Sequence, residues 1–206
     1  RNDPGKEKTH VMLCETAVRK GQRTVQIFKG GRSMKAVIYF TEIPPQYEHK
    51  NMGHMTGEKL LEEALLKEYG RKLAFEPRAK GEHGKPFFTL QPKIHYNISH
   101  SGKYVVCVLA GEEVGIDIQE HRELDYEKGL QKLVPVSLLH EILESDHIKE
   151  AFYNQWVLRE AYMKWTGEGF SRDPPYHPNG QRKFCAAGNG AGYSGAVWSE
   201  NPLELR

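Results

Sequence analysis

Asp117, Glu160 and Lys164 are the residues whose types and spacing best suit the binding of a hard cation and an anion. Asp117 lies in Val114-Gly115-Ile116-Asp117-Ile118-Gln119, where β-branched residues alternate with the period of a strand. With the isoleucines turned to a core, Asp117 falls on the opposite face, where its carboxylate needs water, a cation or a donor. About forty residues later, Phe152, Trp156, Glu160 and Lys164 recur every four positions, so an acid and a base continue the aromatic stripe of a helix. Charges ordinarily stand opposite such a stripe. Alone, a Glu–Lys pair one turn apart is a surface ion pair worth ~0.2–0.5 kcal/mol. Two acids on two elements can instead share Mg²⁺, with waters and phosphate oxygens completing an octahedron. Lys164 would then suit a phosphate oxygen.

The segment Asn97-Ile98-Ser99-His100-Ser101-Gly102 adds two hydroxyls and an imidazole beside a glycine that lets backbone approach a ligand. Sequence neighbours rarely meet in nucleophile–base geometry, so phosphate or hydroxyl binding ranks above a Ser–His nucleophile. Gly84-Lys85-Pro86 presents one cation on a rigid loop. Gly188-Asn189-Gly190-Ala191-Gly192 has no following lysine and no strand-to-helix context, and reads as a linker rather than a phosphate loop. The histidine pairs His49/His54 and His95/His100 are five apart, the wrong spacing for one helical face, so no structural metal is expected from them. Cys14, Cys107 and Cys185 are odd in number and form no CxxC pair, which fits free thiols in a reducing, cytoplasmic setting.

The elements that must hold these residues follow from pattern. Met34–Phe40 reads as a strand, and Val25–Phe28 as a short one. Thr56 is expected to cap a helix from about Glu58 to Tyr69 that Gly70 stops. Strands are expected at 71–75, 94–98 and 104–110, with a loop at 81–86 and a turn at 99–102. A helix should follow Pro135, then a longer one over about 147–166 ended by Gly167, with strands at 183–186 and 193–198. Hairpins mixed with helices indicate an α+β fold. Residues 34–110 and 111–206 are expected to form two lobes of similar make-up. Met34 is expected as the natural start, with residues 1–33 an upstream extension or flexible arm. Lys29-Gly30-Gly31 is what a purine-rich ribosome-binding site would read as if translated.

At 206 residues the chain can bury a sizeable core. Its mean hydropathy of −0.65 describes a polar protein. No apolar run approaches the ~20 residues of a membrane span. A net charge of +2 does not indicate a nucleic-acid binder.

Taken in order, Gly84-Lys85-Pro86, Asn97-Ile98-Ser99-His100-Ser101-Gly102, Val114-Gly115-Ile116-Asp117 and Trp156-Val157-Leu158-Arg159-Glu160-Ala161-Tyr162-Met163-Lys164 resemble the Sfp-type 4'-phosphopantetheinyl transferases. That family pairs a V/I-G-I/V-D element with W/F-x-x-K/R-E-A/S-x-x-K about forty residues later, and both are present. The likeness covers about residues 34–170, resumes in the tail at 192–197 and is poor over 171–191.

The resemblance implies two pseudo-symmetric α+β lobes with coenzyme A and Mg²⁺ in the cleft between them. The implied reaction moves the phosphopantetheine arm of coenzyme A to a serine of an apo acyl or peptidyl carrier protein and releases adenosine 3',5'-bisphosphate. Position by position, it implies Asp117 and Glu160 as Mg²⁺ ligands, and Lys85, Ser99 and His100 as coenzyme A ligands. Lys164 would bind phosphate and assist the leaving group, and Glu160 is the nearest candidate base. A monomer without membrane or nucleic-acid partners is expected. A non-catalytic module that binds coenzyme A or a carrier protein with the same fold is the alternative.

Two positions depart from the larger members. Gln119 stands where a third acid is common, and the 3'-phosphate grip has only Lys50 and Lys59 as candidates. Gln119 should share the face of Asp117 and reach a metal only through water. Replacing Gln119 with Glu should therefore tighten the divalent ion or change which ion works best. A metal titration of activity that does not move would put Gln119 outside the site.

Overall fold

The computed structural model describes residues 36–43, 52–169 and 192–200, together with the backbone of strands β1 (Val25–Phe28), β8 (Gln181–Phe184) and β10 (Glu204–Leu205). Met34, His49, Lys50, Cys14, Cys185 and residues 188–191 of the glycine-rich run lie outside the described residues. The fold is mixed α+β, as the pattern of hairpins and helices predicts.

A five-stranded antiparallel sheet carries the order β10-β1-β2-β6-β5, with β2 at Ala36–Glu42, β5 at His95–Ser101 and β6 at Tyr104–Ala110. Strand β6 is buried along its whole length because both of its faces are covered. Val105, Cys107 and Leu109 meet Leu60, Leu61, Ala64 and Leu65 of helix α1 (Gly53–Tyr69). Val106, Val108 and Ala110 meet a second sheet, of order β7-β9-β8, through Val114, Ile116 and Ile118 of β7 (Val114–Glu120) and Val197 of β9 (Tyr193–Ser199). The far face of that sheet receives Val157, Leu158 and Ala161 of helix α4 (Ile148–Thr166). A small hairpin, β3 (Arg78–Lys80) with β4 (Pro86–Phe88), lies between α1 and β5 in the chain.

Where β5 passes β7, its side chains do what strand carbonyls ordinarily do. Asn97 Oδ1, Ser99 Oγ and Ser101 Oγ accept the amides of Ile116, Ile118 and Glu120 at 3.1, 3.3 and 3.0 Å. Three edge amides that would otherwise be unpaired are satisfied at the strand period of two. This seam ties the two larger sheets together.

Several expectations change in the folded chain. Helix α1 starts at Gly53 rather than near Glu58, and Thr56 is inside it, donating its amide to Met52 at 2.8 Å. The early start rests on tertiary contact, since a Cβ on Gly53 would lie 2.5 Å from His100 Nδ1. Residues 71–75 form no strand. They fold into a 3-10 turn at Leu73–Phe75, closed by Arg71 on Glu76 at 2.7 Å, with Phe75 76% exposed. Ser99 to Ser101 are strand rather than turn, because β5 stays paired with β6 as far as Ser101 opposite Tyr104. The chain reverses only at Gly102, whose φ is +52. Helix α2 (Tyr126–Leu130), capped by Asp125 on the Lys128 amide at 3.1 Å, was not foreseen. Helix α3 (Val136–Leu143) follows Pro135 as expected, and Gly70 and Gly167 end their helices with φ of +66 and +71. No helix among the described residues is long and apolar enough to cross a membrane.

Gly115 decides how near α4 comes to β7. A Cβ there would lie 2.1 Å from the Ala161 carbonyl and 2.3 Å from the Trp165 amide, and backbone cannot swing aside as a side chain can. Gly115→Ala should cost ~3 kcal/mol through this overpacking, read as a lower urea midpoint. A loss below ~1 kcal/mol would mean that α4 yields easily there.

Candidate active site

Asp117 is 4% exposed, on the face of β7 that meets α4, as the alternation predicts. Its carboxylate is addressed from both sides. Ser99 Oγ on β5 donates to Asp117 Oδ1 at 2.7 Å, and Lys164 Nζ on α4 donates to the same oxygen at 2.6 Å. Lys164 also donates to Ser99 Oγ at 2.8 Å. With the Ile118 amide as a further donor, the hydroxyl's one proton and both lone pairs are spent inside the protein. Ser99 is thus an organiser of Asp117 and Lys164, a role that its place in sequence did not reveal.

Asp117 Oδ2 is buried and has no hydrogen-bond partner in the protein. An unpaired oxygen on a buried carboxylate is costly and needs an explanation. Glu160 stands one turn before Lys164 on α4, and its carboxyl is pushed above the usual range by partial burial and then by the charge of Asp117. Two neighbouring carboxyls face one ammonium, and all of the acidic donors are oxygen. Such a set fits a hard cation that takes one or two carboxylates and completes its shell with water and phosphate. Among the described residues no group of three or more His, Cys, Asp or Glu could hold a metal, so an ion here would have two protein carboxylates at most. Gln119 follows on the same strand, opposite Ser194 of β9.

Lys164 and Glu160 line a cavity of about 310 Å³ with Lys85, Pro86, Asn97 and Ile98. A second cavity of about 790 Å³ shares Gly84, Pro86, Asn97 and Ile98 with it. Its wall includes His54, Arg78, Lys80 and His100, a basic set with Glu58. Arg78 is bidentate to Glu58 at 2.7 and 2.9 Å. Packing against the start of α1 and then the charge of Lys164 push the His100 imidazole below its usual range. Lys59 is exposed on α1 and lines neither cavity. Lys85 lines the smaller cavity, but its ammonium goes to Glu113 and to the Trp165 carbonyl. His95 is apart from His100, with Nδ1 3.0 Å from Glu113. The Cys107 thiol is wholly buried and pushed up by that burial, so it is inert packing.

The arrangement can bind an anion and hold one hard cation beside the Asp117 and Glu160 carboxyls. No family model matches the chain. A 4'-phosphopantetheinyl transferase of Bacillus subtilis is 32% identical over 130 residues, 61% of this chain and 58% of the relative. The 4'-phosphopantetheinyl transferase Sfp of Bacillus subtilis strain 168 is 29% identical over 131 residues, with the same coverage of 61% and 58%. The 4'-phosphopantetheinyl transferase gsp of Aneurinibacillus migulanus is 32% identical over 116 residues, 53% of this chain and 48% of the relative. The chain is thus similar in sequence to several 4'-phosphopantetheinyl transferases. It spans about half to three-fifths of the length of the curated relatives it matches.

Ser99→Ala should destabilise the chain without any ligand, because the Ile118 amide and Lys164 lose an acceptor and Asp117 a donor. A loss of ~1–3 kcal/mol is expected for the unpaired buried groups, measured by urea denaturation. A variant as stable as the parent would leave Ser99 with a ligand-binding role alone.

Proposed function

We propose that this chain transfers the 4'-phosphopantetheine arm of coenzyme A to a serine of an apo acyl or peptidyl carrier protein in an Mg²⁺-dependent reaction. Adenosine 3',5'-bisphosphate would leave. The observation that carries this reading is the Asp117 cluster, with one buried carboxylate oxygen spare beside Glu160 and Lys164, which line a cavity. The Sfp-type relatives supply the reaction class.

Asp117 and Glu160 would hold the Mg²⁺, with Gln119 reaching it through water. When bound, the ion supplies a Lewis acid that neutralises charge on the pyrophosphate. Lys164 spends two N–H groups on Ser99 and Asp117, leaving the third for a phosphate oxygen as charge develops on the leaving group. The carrier serine oxygen forms a bond to the β-phosphorus of coenzyme A. The bond from that phosphorus to the bridging oxygen breaks, and the bisphosphate departs with the electron pair. Glu160, one turn from Lys164 on α4, accepts the serine proton as the base.

The larger cavity, with His54, Arg78, Lys80 and His100, has the charge for the nucleotide's phosphates, the grip that the sequence did not locate. Two lobes, one either side of residue 111, a monomeric state and a cytoplasmic setting complete the proposal.

The test uses coenzyme A, Mg²⁺ and an apo carrier protein, with intact mass as the readout. The arm should appear on the carrier, chelation by EDTA should stop transfer, and added Mg²⁺ should restore it. Glu160→Gln should slow transfer by a factor of ~10²–10⁴. Full transfer by Glu160→Gln at saturating Mg²⁺ would remove Glu160 from both roles. Binding of coenzyme A without transfer would instead identify a non-catalytic module.

A further inference from the structure

Lys85 sits in the loop of the β3–β4 hairpin with its side chain only 17% exposed. Its ammonium donates to the Glu113 carboxylate, in the turn before β7, and to the Trp165 carbonyl at 2.7 Å, at the end of α4. The lysine stem runs close over Gly167, where a Cβ would come within 3.2 Å of Lys85 Cδ. Glu113 and Trp165 border a separate depression of about 330 Å³ with Thr166 and Glu200, and neither lines the cavity of Glu160 and Lys164. The lysine thus lends its stem to the active-site wall while its charge is drawn out through the other side.

What it fastens is the wall between the two cavities. Gly84 and Pro86, on either side of Lys85, line both of them. The loop is closed by only two short bonds of its own, Gly84 N–H to the Gly81 carbonyl and Gly81 N–H to the Lys85 carbonyl, each 2.9 Å. Hairpin strands of three residues hold little by themselves. His95 Nδ1, 3.0 Å from the other oxygen of Glu113, fixes that carboxylate to the start of β5.

We propose that Glu113 is a positioning residue. By drawing the Lys85 ammonium to the end of α4, it fastens the hairpin loop as the wall between the cavities and so sets how tightly an anionic nucleotide is held. Lys85 then acts through its anchorage rather than as a direct coenzyme A ligand, the role that the family resemblance implies for it. The nucleotide half of the inference rests on the transferase reading, and the fastening half does not.

Hydrogen exchange on the intact chain reads the fastening with no ligand present. Glu113→Gln and Lys85→Met should each speed exchange of the Gly81 and Gly84 amides by ~tenfold through local opening, with little change in the urea midpoint. The double variant should be no faster than either single one. Unchanged exchange in both single variants, or acceleration that adds in the double, overturns the proposal. Calorimetry with coenzyme A on the same proteins should show a Kd several-fold higher for Glu113→Gln. A Kd that stays put or falls overturns the proposal too, a fall being the mark of a direct phosphate ligand that Glu113 had been neutralising. If the parent chain binds no coenzyme A, the transferase reading fails while the exchange result still decides the fastening.

Discussion

The carboxylate of Asp117 is the constraint around which the chain is arranged. A charge taken out of water costs several kcal/mol unless paired and hydrogen-bonded. Asp117 is 4% exposed, and its donors among the described residues come from two different elements, Ser99 on β5 and Lys164 on α4. Both must therefore be brought within hydrogen-bond reach of β7. Gly115 does this for the helix by letting the backbone of α4 lie against the strand. The Asn97–Ser99–Ser101 row does it for β5, because the same side chains that take up the β7 amides fix the spacing of the two strands. One hydroxyl, Ser99 Oγ, belongs to both devices. The seam of the fold and the support of the site are the same interaction.

Pairing Asp117 through one oxygen alone has an electrostatic consequence. Lys164 offsets a single negative charge, while Asp117 and Glu160 together bring two carboxyls. Glu160 is left beside a charge of its own sign in a partly buried place, and its proton is held more firmly as a result. A divalent cation would relieve that repulsion by joining the spare Asp117 oxygen. Metal affinity and the ionisation of Glu160 would then be linked, each favouring the other.

How much of this was legible in the sequence follows from the range of each interaction. Asp117, Glu160 and Lys164 could be read because strand and helix periods fix which side chains share a face. The strands β2, β6, β7 and β9 and the helices α3 and α4 followed from the same periods. Ser99 and Ser101 could not, since small polar residues beside glycine are also turn formers. Only the long-range pairing of β5 with β6, which runs as far as Ser101, makes them strand. Residues 71–75 misled in the opposite sense. Their composition suits a strand, but no partner strand is available, and the Arg71–Glu76 pair folds the backbone into a turn instead. Arg78, Glu58 and Glu113 belong to no local pattern, because each gains its meaning from a residue at least eighteen positions away.

The wall between the two cavities is where these long-range contacts converge. On one side stand Glu160 and Lys164, and on the other the basic set that includes Arg78. Arg78 is already satisfied by Glu58 through both of its terminal nitrogens, so an anion entering that cavity competes with a resident carboxylate. Weak anions gain little from such a trade. A ligand with several phosphates spread along its length can engage both cavities at once, and each contact then raises the effective concentration of the other. Selectivity for a long, multiply charged molecule follows from dividing the site rather than enlarging it. The divider is the loop of a hairpin with three-residue strands, which gains its rigidity from Lys85 reaching to Glu113 and to the end of the helix that carries Glu160 and Lys164.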